Sequence, residues 1–369
     1  MSTQQVFRNT ITVILTVVGA YALFLSARIL IVLLVAIIIA SAVRPLVLWI
    51  SSGRIPYGLA ILIVYLGLAL LIFGMAIVVL PPATNQLAEY IEHEDRLATR
   101  VINAQRWVQN NLETRLNVTD LQLLDEGAIR TTITDLVQQL RDSIPALAGQ
   151  FGGVLGDFVL TVIMGIYWLT SRDITVEYLL KLFALPRRPR INEIIMTIEQ
   201  SIGAYVRGVA SVALFVGLAN FLILTILRVP NAVTLAFIIG VSTTLPVIGG
   251  FIGGGTAIFL ALLSTPLNAL LTLASFVVVQ QVETYYLTPR VMANSMRLNP
   301  ILIILFLFIG FSVGGVIGGM LAVPIAGTIM ILVRYLIIEP KQEEVSTQKV
   351  IQGGILLTTD PTLETKPGS

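Results

Sequence analysis

The feature that most limits how this chain can fold is a long apolar segment near its C-terminus. Residues 299–338 are forty positions with one charged side chain, Arg334. A straight helix of that length would reach about 60 Å at about 1.5 Å per residue, whereas the hydrocarbon core of a membrane is roughly 30 Å thick. We therefore expect the segment to tilt strongly, to extend into water, or to break.

A break is easiest at the glycine cluster of this segment. The cluster contains Gly314, Gly315 and Gly318, and Pro324 follows it. Glycine accepts backbone angles that other residues resist, and proline removes a helix hydrogen bond. The cluster predicts a broken helix, and a broken helix at membrane depth usually lines a cavity.

The composition indicates a polytopic membrane protein. Hydrophobic residues make up 56% of the chain and charged residues only 12%, against about 25% charged in a soluble domain. With no cysteine and a single histidine, His93, we expect no metal site and no cofactor. The formal net charge of +2 gives no reason to expect binding to nucleic acid. The sequence contains neither a zinc-protease helix motif nor a phosphate loop, so nothing in it indicates an enzyme.

Eight apolar segments predict an all-α fold with about eight membrane elements, some of them re-entrant. We expect the first two, which are short, to form a tight hairpin, and the first to be retained rather than cleaved. The segments are 10–25, 29–43, 57–80, 151–170, 204–227, 231–263, 267–283 and 300–337.

The segments divide the chain into four regions. We assign 1–82 to the first three membrane segments, 83–150 to a helical soluble insertion, 151–338 to the remaining segments, and 339–369 to a disordered tail. Two stripes of apolar residues at helical spacing predict that the insertion is a pair of packed amphipathic helices, joined through 117–126. The stripes are Leu87, Ile91, Ala98, Val101, Val108 and Leu112, then Ile129, Ile133, Val137, Leu140 and Ile144.

Arginine and lysine in short loops favour the cytoplasmic side. If the N-terminus is cytoplasmic, the basic residues near 44–54 and 172–190 are cytoplasmic as well, and the insertion lies outside. The last third allows two schemes. Single crossings by 231–263 and 300–337 would place Arg290 and Arg297 outside, whereas re-entrant segments would place them inside. We favour re-entrant segments, because they also explain the excess length.

A second glycine cluster repeats the pattern of the first. Gly249, Gly250 and Gly253 lie in another overlong apolar segment, with Pro246 just before them. Two matching interrupted segments are typical of the central site of a transporter. Glycines four residues apart, such as Gly250 and Gly254, also allow close helix packing, and the two interpretations are compatible.

Several polar residues within the apolar segments are candidate solute contacts. Glu283 closes the seventh segment with Gln280 one turn earlier, and a carboxylate beside lipid is usually paired or functional. It could equally mark the helix end at the interface. Asn220 and the run Ser242 to Thr244 either bind a polar solute or bond to a neighbouring helix or to their own backbone.

The last third of the chain contains a set of short motifs. They are Pro246-Val247-Ile248-Gly249, Gln280-Gln281-Val282-Glu283, Pro289, Leu298-Asn299-Pro300 and the run Gly315 to Pro324. Through these residues the chain resembles the autoinducer-2 exporter family of bacterial and archaeal permeases. The resemblance implies a transport role for a cargo that differs among members, some exporting autoinducer-2 and others exchanging sodium or lithium for protons.

We therefore expect a permease of the bacterial cytoplasmic membrane that moves a small solute. A sodium(lithium)/proton antiporter and a non-transporting membrane scaffold are the alternatives. The expected partners are the lipid bilayer, a small molecule or ion, and further copies of the chain in a homo-oligomer. The expected transport path is lined by Asn220, Pro246, Gly249, Gly250, Gly253, Gln280, Glu283, Pro289, Gly314, Gly315, Gly318 and Pro324.

Overall fold

The computed structural model describes residues 3–92, 94–116, 125–246, 248–292 and 299–339. Every element in these ranges is helical, which confirms the all-α polytopic fold. His93, most of the predicted linker 117–126, Arg297 and the predicted tail beyond 339 lie outside the described residues. The α-helices are α1 (Thr3–Leu25), α2 (Ala27–Ser51), α3 (Tyr57–Glu92), α4 (Glu94–Leu116), α5 (Glu126–Lys181), α6 (Arg188–Ile226), α7 (Ala232–Ser242), α8 (Gly249–Leu262), α9 (Pro266–Val282), α10 (Thr288–Met292) and α11 (Pro300–Val333).

Six stretches of the described chain are long and apolar enough to cross a membrane. Three shorter apolar helices accompany them, at Asn9–Gly19, Ala232–Ser242 and Gly249–Leu262. The predicted segment 231–263 is therefore two helices rather than one. The six long stretches are Ala27–Ser51, Tyr57–Val79, Gly152–Lys181, Leu185–Ile226, Pro266–Arg290 and Pro300–Ile338.

The expected tight hairpin between the first two apolar segments is wrong. α1 and α2 meet at Ser26, whose amide donates to the Ala22 carbonyl and whose carbonyl accepts from the Leu30 amide, both at 3.0 Å. Ser26 itself has φ −89° and ψ 5°, outside the helical region, so the helix is irregular at this one residue. Because four-residue hydrogen bonds continue on both sides of a single irregular residue, the chain does not reverse.

The first half of the membrane region packs around α2, α3 and α5. Ala40 and Val47 of α2, Ile61 of α3 and Leu169 of α5 are buried together. Apolar residues cover these helices on most positions, so their outward faces are suited to lipid.

A proline in α2 creates a polar joint with α6. Pro45 has no amide hydrogen, so the carbonyl of Ser41, four residues earlier, loses its helical donor. Arg207 of α6 fills the gap, since its Nη1 donates to the carbonyls of Ser41 at 3.4 Å and Ala42 at 3.1 Å. Gly203 lets α6 approach this closely, because a Cβ there would collide with the Ser41 carbonyl.

A second apolar core joins α6, α7, α8 and α9. Val216 of α6, Ile239 of α7, Ala257 of α8 and Val279 of α9 are each at most 3% exposed. Short side chains on α8 bring these helices close, which is the packing mode that membrane helices favour.

The insertion is continuous with the membrane helices. α3 runs on to Glu92, and α5 is one helix from Glu126 in the insertion to Lys181 at the end of the candidate span. Residues of both predicted stripes are buried together, including Ala98 of α4 and Ile133 of α5, with Leu263 at the end of α8 in the same cluster. The side chains of Leu87, Ile91, Val108, Leu112, Leu140 and Ile144 lie outside the described set.

The chain forms two compact units. One comprises residues 1–175 and 203–295, and the other comprises 176–202 and 296–369. Within the second unit, the first turn of α6 bonds to the segment after α11. Arg190 Nη2 donates to the carbonyl of Tyr335 at 2.7 Å, and the Tyr335 hydroxyl donates to Glu193 at 3.4 Å.

Candidate functional site

α7 and α8 form a hairpin too shallow to cross a membrane. With 11 and 14 residues, they are about 16 Å and 21 Å long, against a hydrocarbon core of roughly 30 Å. Their contacts show that the chain folds back on itself. A Cβ on Gly249 would collide with the carbonyl of Ser242, and one on Gly253 would lie 2.7 Å from the Ser242 Cβ.

The doubled glycines give α8 two close-packing faces. Gly249 and Gly253 lie against α7, as above, while Gly250 and Gly254 lie against α9. A Cβ on Gly250 would lie 3.0 Å from Gln280 Oε1, and one on Gly254 would lie 2.5 Å from the Phe276 ring. Neighbouring helix positions differ by about 100°, so each pair of adjacent glycines serves two partner helices. The packing interpretation of this cluster therefore holds.

α11 also folds back on itself, and the predicted break lies at its first two cluster glycines. Gly314 has φ −129° and ψ 17°, and Gly315 has φ 56° and ψ −142°. The second pair of angles is suited to glycine alone. On either side of this turn, Gly310 and Gly318 touch through their backbones, and a Cβ on Gly319 would lie 2.6 Å from the Phe311 ring.

The two glycine clusters look alike in sequence but act differently. In the first, the turn precedes the cluster and contains the half-buried Pro246, so all four glycines are free for packing. In the second, Gly314 and Gly315 make the turn, and Gly318 makes the contact. Pro324 does not interrupt α11, contrary to its expected role, because a proline costs a helix one hydrogen bond without reversing it.

Gln280 and Glu283 form a polar pair beside the α7–α8 hairpin. Gln280 Nε2 donates to Glu283 Oε2 at 2.8 Å. Gln280 Oε1 is buried without a hydrogen-bond partner in the described chain. It lies next to Gly250, at the place where a side chain on that glycine would begin. An amide oxygen left unpaired in a buried place has the capacity to accept a bond from a solute or water.

Glu283 also begins a change in the helix. A π-helical turn, Glu283–Leu287, joins α9 to α10, and such turns occur often at functional sites. Among the described residues, no arginine or lysine lies within 4 Å of the Glu283 carboxylate. Arg290, the partner that the sequence offers, is exposed in α10 and makes no such pair.

Asn220 has its hydrogen bonds satisfied by the protein. Its Nδ2 donates to the Val216 carbonyl at 2.9 Å, and its Oδ1 accepts from Ser275 Oγ at 3.0 Å. The side chain is fully buried, so it ties α6 to α9 as a hydrogen-bonded joint. Thr243 and Thr244 likewise donate to their own helix, at the carbonyls of Ile239 and Val241.

The predicted site residues fall into two groups, one in each compact unit. The α7–α9 region brings together Pro246, Gly249, Gly250, Gly253, Gln280 and Glu283, with Asn220 on α6 joined through Ser275 and Pro289 exposed in α10. The other unit holds Gly314, Gly315, Gly318 and Pro324.

Sequence reasoning missed the two phenylalanines that seat the glycines, Phe276 and Phe311. Phe276 stands four residues before Gln280, so both lie on one face of α9. That spacing was available from the sequence. No group of three histidine, cysteine, aspartate or glutamate residues that could hold a metal occurs in the described ranges.

The fold and these hairpins define a polytopic α-helical membrane protein with two apolar segments broken into hairpins, an architecture typical of transporters. The chain belongs to the AI-2E family of transporters, because the family model described as AI-2E family transporter matches residues 11–338. It is therefore a membrane transport protein by family.

Relatives in three bacteria carry transport-protein names. YueF of Bacillus subtilis is 26% identical over 285 residues, covering 74% of each chain. MT0215 of Mycobacterium tuberculosis is 25% identical over 293 residues, covering 79% of this chain and 78% of its own. The sll0060 protein of Synechocystis is 26% identical over 283 residues, covering 75% of this chain and 78% of its own.

Proposed function

We propose that this protein carries a small polar solute across the bacterial cytoplasmic membrane, along a path lined by the α7–α8 hairpin and α9. One observation carries the proposal. A hairpin too short to cross packs its glycine face on Gln280, whose amide oxygen is buried without a partner in the described chain. Binding groups placed where apolar helices are interrupted are what a transport site requires.

The contacts of the insertion support a hairpin that enters and leaves the membrane on the extracytoplasmic side, with its α7–α8 turn inside the membrane. Leu260 and Leu263, at the end of α8, pack with Leu97 and Ile129 of the insertion, which we expect to be extracytoplasmic. The far end of the hairpin would then lie about 16 Å deep, near the membrane midplane. α9 would lead back to the cytoplasm, which places Arg290 inside as the positive-inside rule prefers.

The contacts made by the end of α11 support its placement on the cytoplasmic side. Tyr335 and Glu339 pair with Arg190, and the arginines at 187, 188 and 190 favour the cytoplasm. The start of α11 follows the segment that bears Arg290 and Arg297. Together these charges favour a hairpin that enters and leaves on the cytoplasmic side, the re-entrant scheme.

The chemistry of the polar pair suggests a solute class. Gln280 offers an unused acceptor and Glu283 offers carboxylate oxygens, so the pair suits a solute that donates hydroxyl hydrogen bonds. The family name refers to autoinducer-2, a hydroxyl-bearing furanone. We propose this molecule as the first solute to test.

A second candidate is exchange of sodium or lithium for protons. Glu283 favours it, because no basic side chain of the described residues neutralises this carboxylate within 4 Å. An unpaired carboxylate near the membrane can bind a cation or a proton.

The test uses the purified full-length chain in proteoliposomes with imposed sodium and proton gradients, assayed for autoinducer-2 uptake and for cation/proton exchange. Gln280→Leu should abolish transport, because it removes the acceptor and the bond to Glu283. Gln281→Leu is the matched control, since Gln281 is exposed on the neighbouring face and its loss should leave transport unchanged.

Normal transport by Gln280→Leu would contradict a path through this pair. A folded protein that moves neither autoinducer-2 nor cations would remove both proposed cargoes. The scaffold alternative would then be favoured if a wider solute screen also gave no flux.

A further inference from the structure

α2 is long enough to cross the membrane without α1. The two helices meet at the irregular Ser26 without folding against each other, and they contain 23 and 25 residues. Each is about 35 Å long, so α2 alone spans the roughly 30 Å hydrocarbon core. Because the chain does not reverse at Ser26, α1 begins where α2 leaves the bilayer.

The end of α2 that meets α1 lies on the side of the insertion. Arg28, in the first turn of α2, pairs with Asp157 at 3.0 Å. Asp157 lies near the start of the candidate span Gly152–Lys181, which continues from the insertion part of α5. α1 therefore leaves α2 at the membrane boundary that faces the insertion.

α1 carries one stripe of polar or small residues, and the rest of its surface is apolar. Polar or small residues recur at intervals of four and three residues, and large apolar residues recur at the same intervals on the opposite side. Every one of these residues is exposed in the structure. The polar face contains Gln5, Asn9, Thr12, Thr16 and Gly19, and the apolar face contains Phe7, Ile11, Ile14, Val18, Tyr21 and Leu25.

We infer that α1 does not cross the membrane but bends away from α2 at the irregular Ser26 and lies in the plane of the extracytoplasmic interface, with the apolar face in the lipid. The described chain leaves Phe7, Ile14, Val18, Tyr21 and Leu25 more than half exposed. An apolar helix with one polar stripe, joined to a membrane span, can place the stripe toward the headgroups and its apolar surface toward the acyl chains. The partner of α1 is then the outer leaflet, and the N-terminus is extracytoplasmic rather than cytoplasmic.

The absence of cysteine allows a direct test of sidedness. Asn9→Cys, in the full-length chain in intact spheroplasts, should react with a membrane-impermeant maleimide. Gln109→Cys in the insertion and Pro189→Cys at the start of α6 are the external and cytoplasmic controls. Reaction of the Asn9→Cys variant only after permeabilisation, as for Pro189→Cys, would show that α1 crosses and overturn the inference.

A second measurement tests the depth of the two faces. Nitroxides on single cysteines at Thr12, Thr16, Ile14 and Val18 are compared in vesicles of phosphatidylethanolamine and phosphatidylglycerol. Collision with a water-soluble nickel chelate should dominate at the two threonine positions, and collision with oxygen should dominate at Ile14 and Val18. The ratio should thus reverse between faces.

Three other patterns would overturn the inference. A ratio that changes steadily along the helix indicates a crossing. Nickel access at all four sites indicates a helix projecting into water. Protection of Ile14 and Val18 from both reagents indicates that a second copy of the chain, rather than lipid, covers the apolar face.

Discussion

The effect of replacing a glycine in α8 depends on the atoms that a new side chain would meet. Gly249 faces the carbonyl of Ser242, Gly250 faces the end of the Gln280 side chain, and Gly255 has no atom within 4 Å of an added Cβ. A side chain can give way by rotation, whereas backbone cannot without moving a helix. The same substitution should therefore have three different effects within one turn and a half of helix.

Gly249→Ala should lower the yield of folded protein, with a destabilisation of about 1–3 kcal/mol, because the new methyl group collides with backbone. Gly250→Ala should be milder, since Gln280 has only to shift slightly. Gly255→Ala is the control, and it should fold normally or gain about 0.5–1 kcal/mol from helix propensity. Folded yield and thermal stability in detergent measure the series. Equal loss in all three variants would contradict the packing that separates them.

The spacing of residues in the sequence did not show which side chain pairs with Glu283. Arg290 is seven residues away and of opposite charge, yet the carboxylate bonds to Gln280 instead. The π-helical turn Glu283–Leu287 lies between them and changes the helical register, so the two charges are not brought together.

Glu283→Gln should fold with normal yield and lose transport driven by a sodium or proton gradient. It keeps the shape of the side chain and a bond to Gln280 but removes the charge. No basic side chain of the described residues loses an ion pair, because Glu283 makes none with them. Uptake under each gradient and folded yield are the measurements. Arg290→Gln should change neither. A shared loss of yield in both variants would instead indicate an ion pair that anchors the loop.

At the scale of elements, the same glycine motif builds two different hairpins. The α7–α8 turn lies before its cluster, whereas the α11 turn uses Gly314 and Gly315 themselves. Excess apolar length predicted that each segment breaks. It did not predict where, because the turn position depends on which backbone atoms meet after the chain has folded back.

The turn of α11 gives a matched pair of substitutions. Gly315→Ala places a side chain at φ 56° and ψ −142° and should cost about 1–3 kcal/mol of strain. Gly314→Ala sits at φ −129°, which other residues adopt, and neither position has an atom within 4 Å of an added Cβ. Gly315→Ala should therefore lose folded yield and transport while Gly314→Ala retains both. Indistinguishable variants would mean that the chain does not turn at Gly315.

For the molecule as a whole, the contacts of the insertion and the basic loops support the membrane orientation proposed above. The α4–α5 pair packs on the end of α8, and the segment after α11 pairs with Arg190. Both contacts agree with re-entrant hairpins in the last third. Single crossings would place the segment between α10 and α11 outside.

A cysteine at Asn294, between α10 and α11, separates the two schemes. We expect it to react with an impermeant thiol reagent only after permeabilisation, because re-entrant hairpins place this segment in the cytoplasm. The Gln109→Cys and Pro189→Cys variants calibrate the two sides. Labelling in intact cells would favour single crossings and remove the sidedness on which the proposed path depends.

The class of this protein could be predicted from its amino-acid sequence. Composition and segment length are local properties, and they were enough to predict an all-helical membrane protein with two interrupted segments and a helical insertion. The family resemblance, carried by residues 246–324, was also available before any coordinates. Three contacts could be learned only from the folded structure. Gly250 packs against Gln280, Asn220 bonds to Ser275, and α1 continues into α2 instead of folding against it. These depend on distances between residues far apart in the chain, or on the angles of one residue such as Ser26, and periodicity carries no information about either.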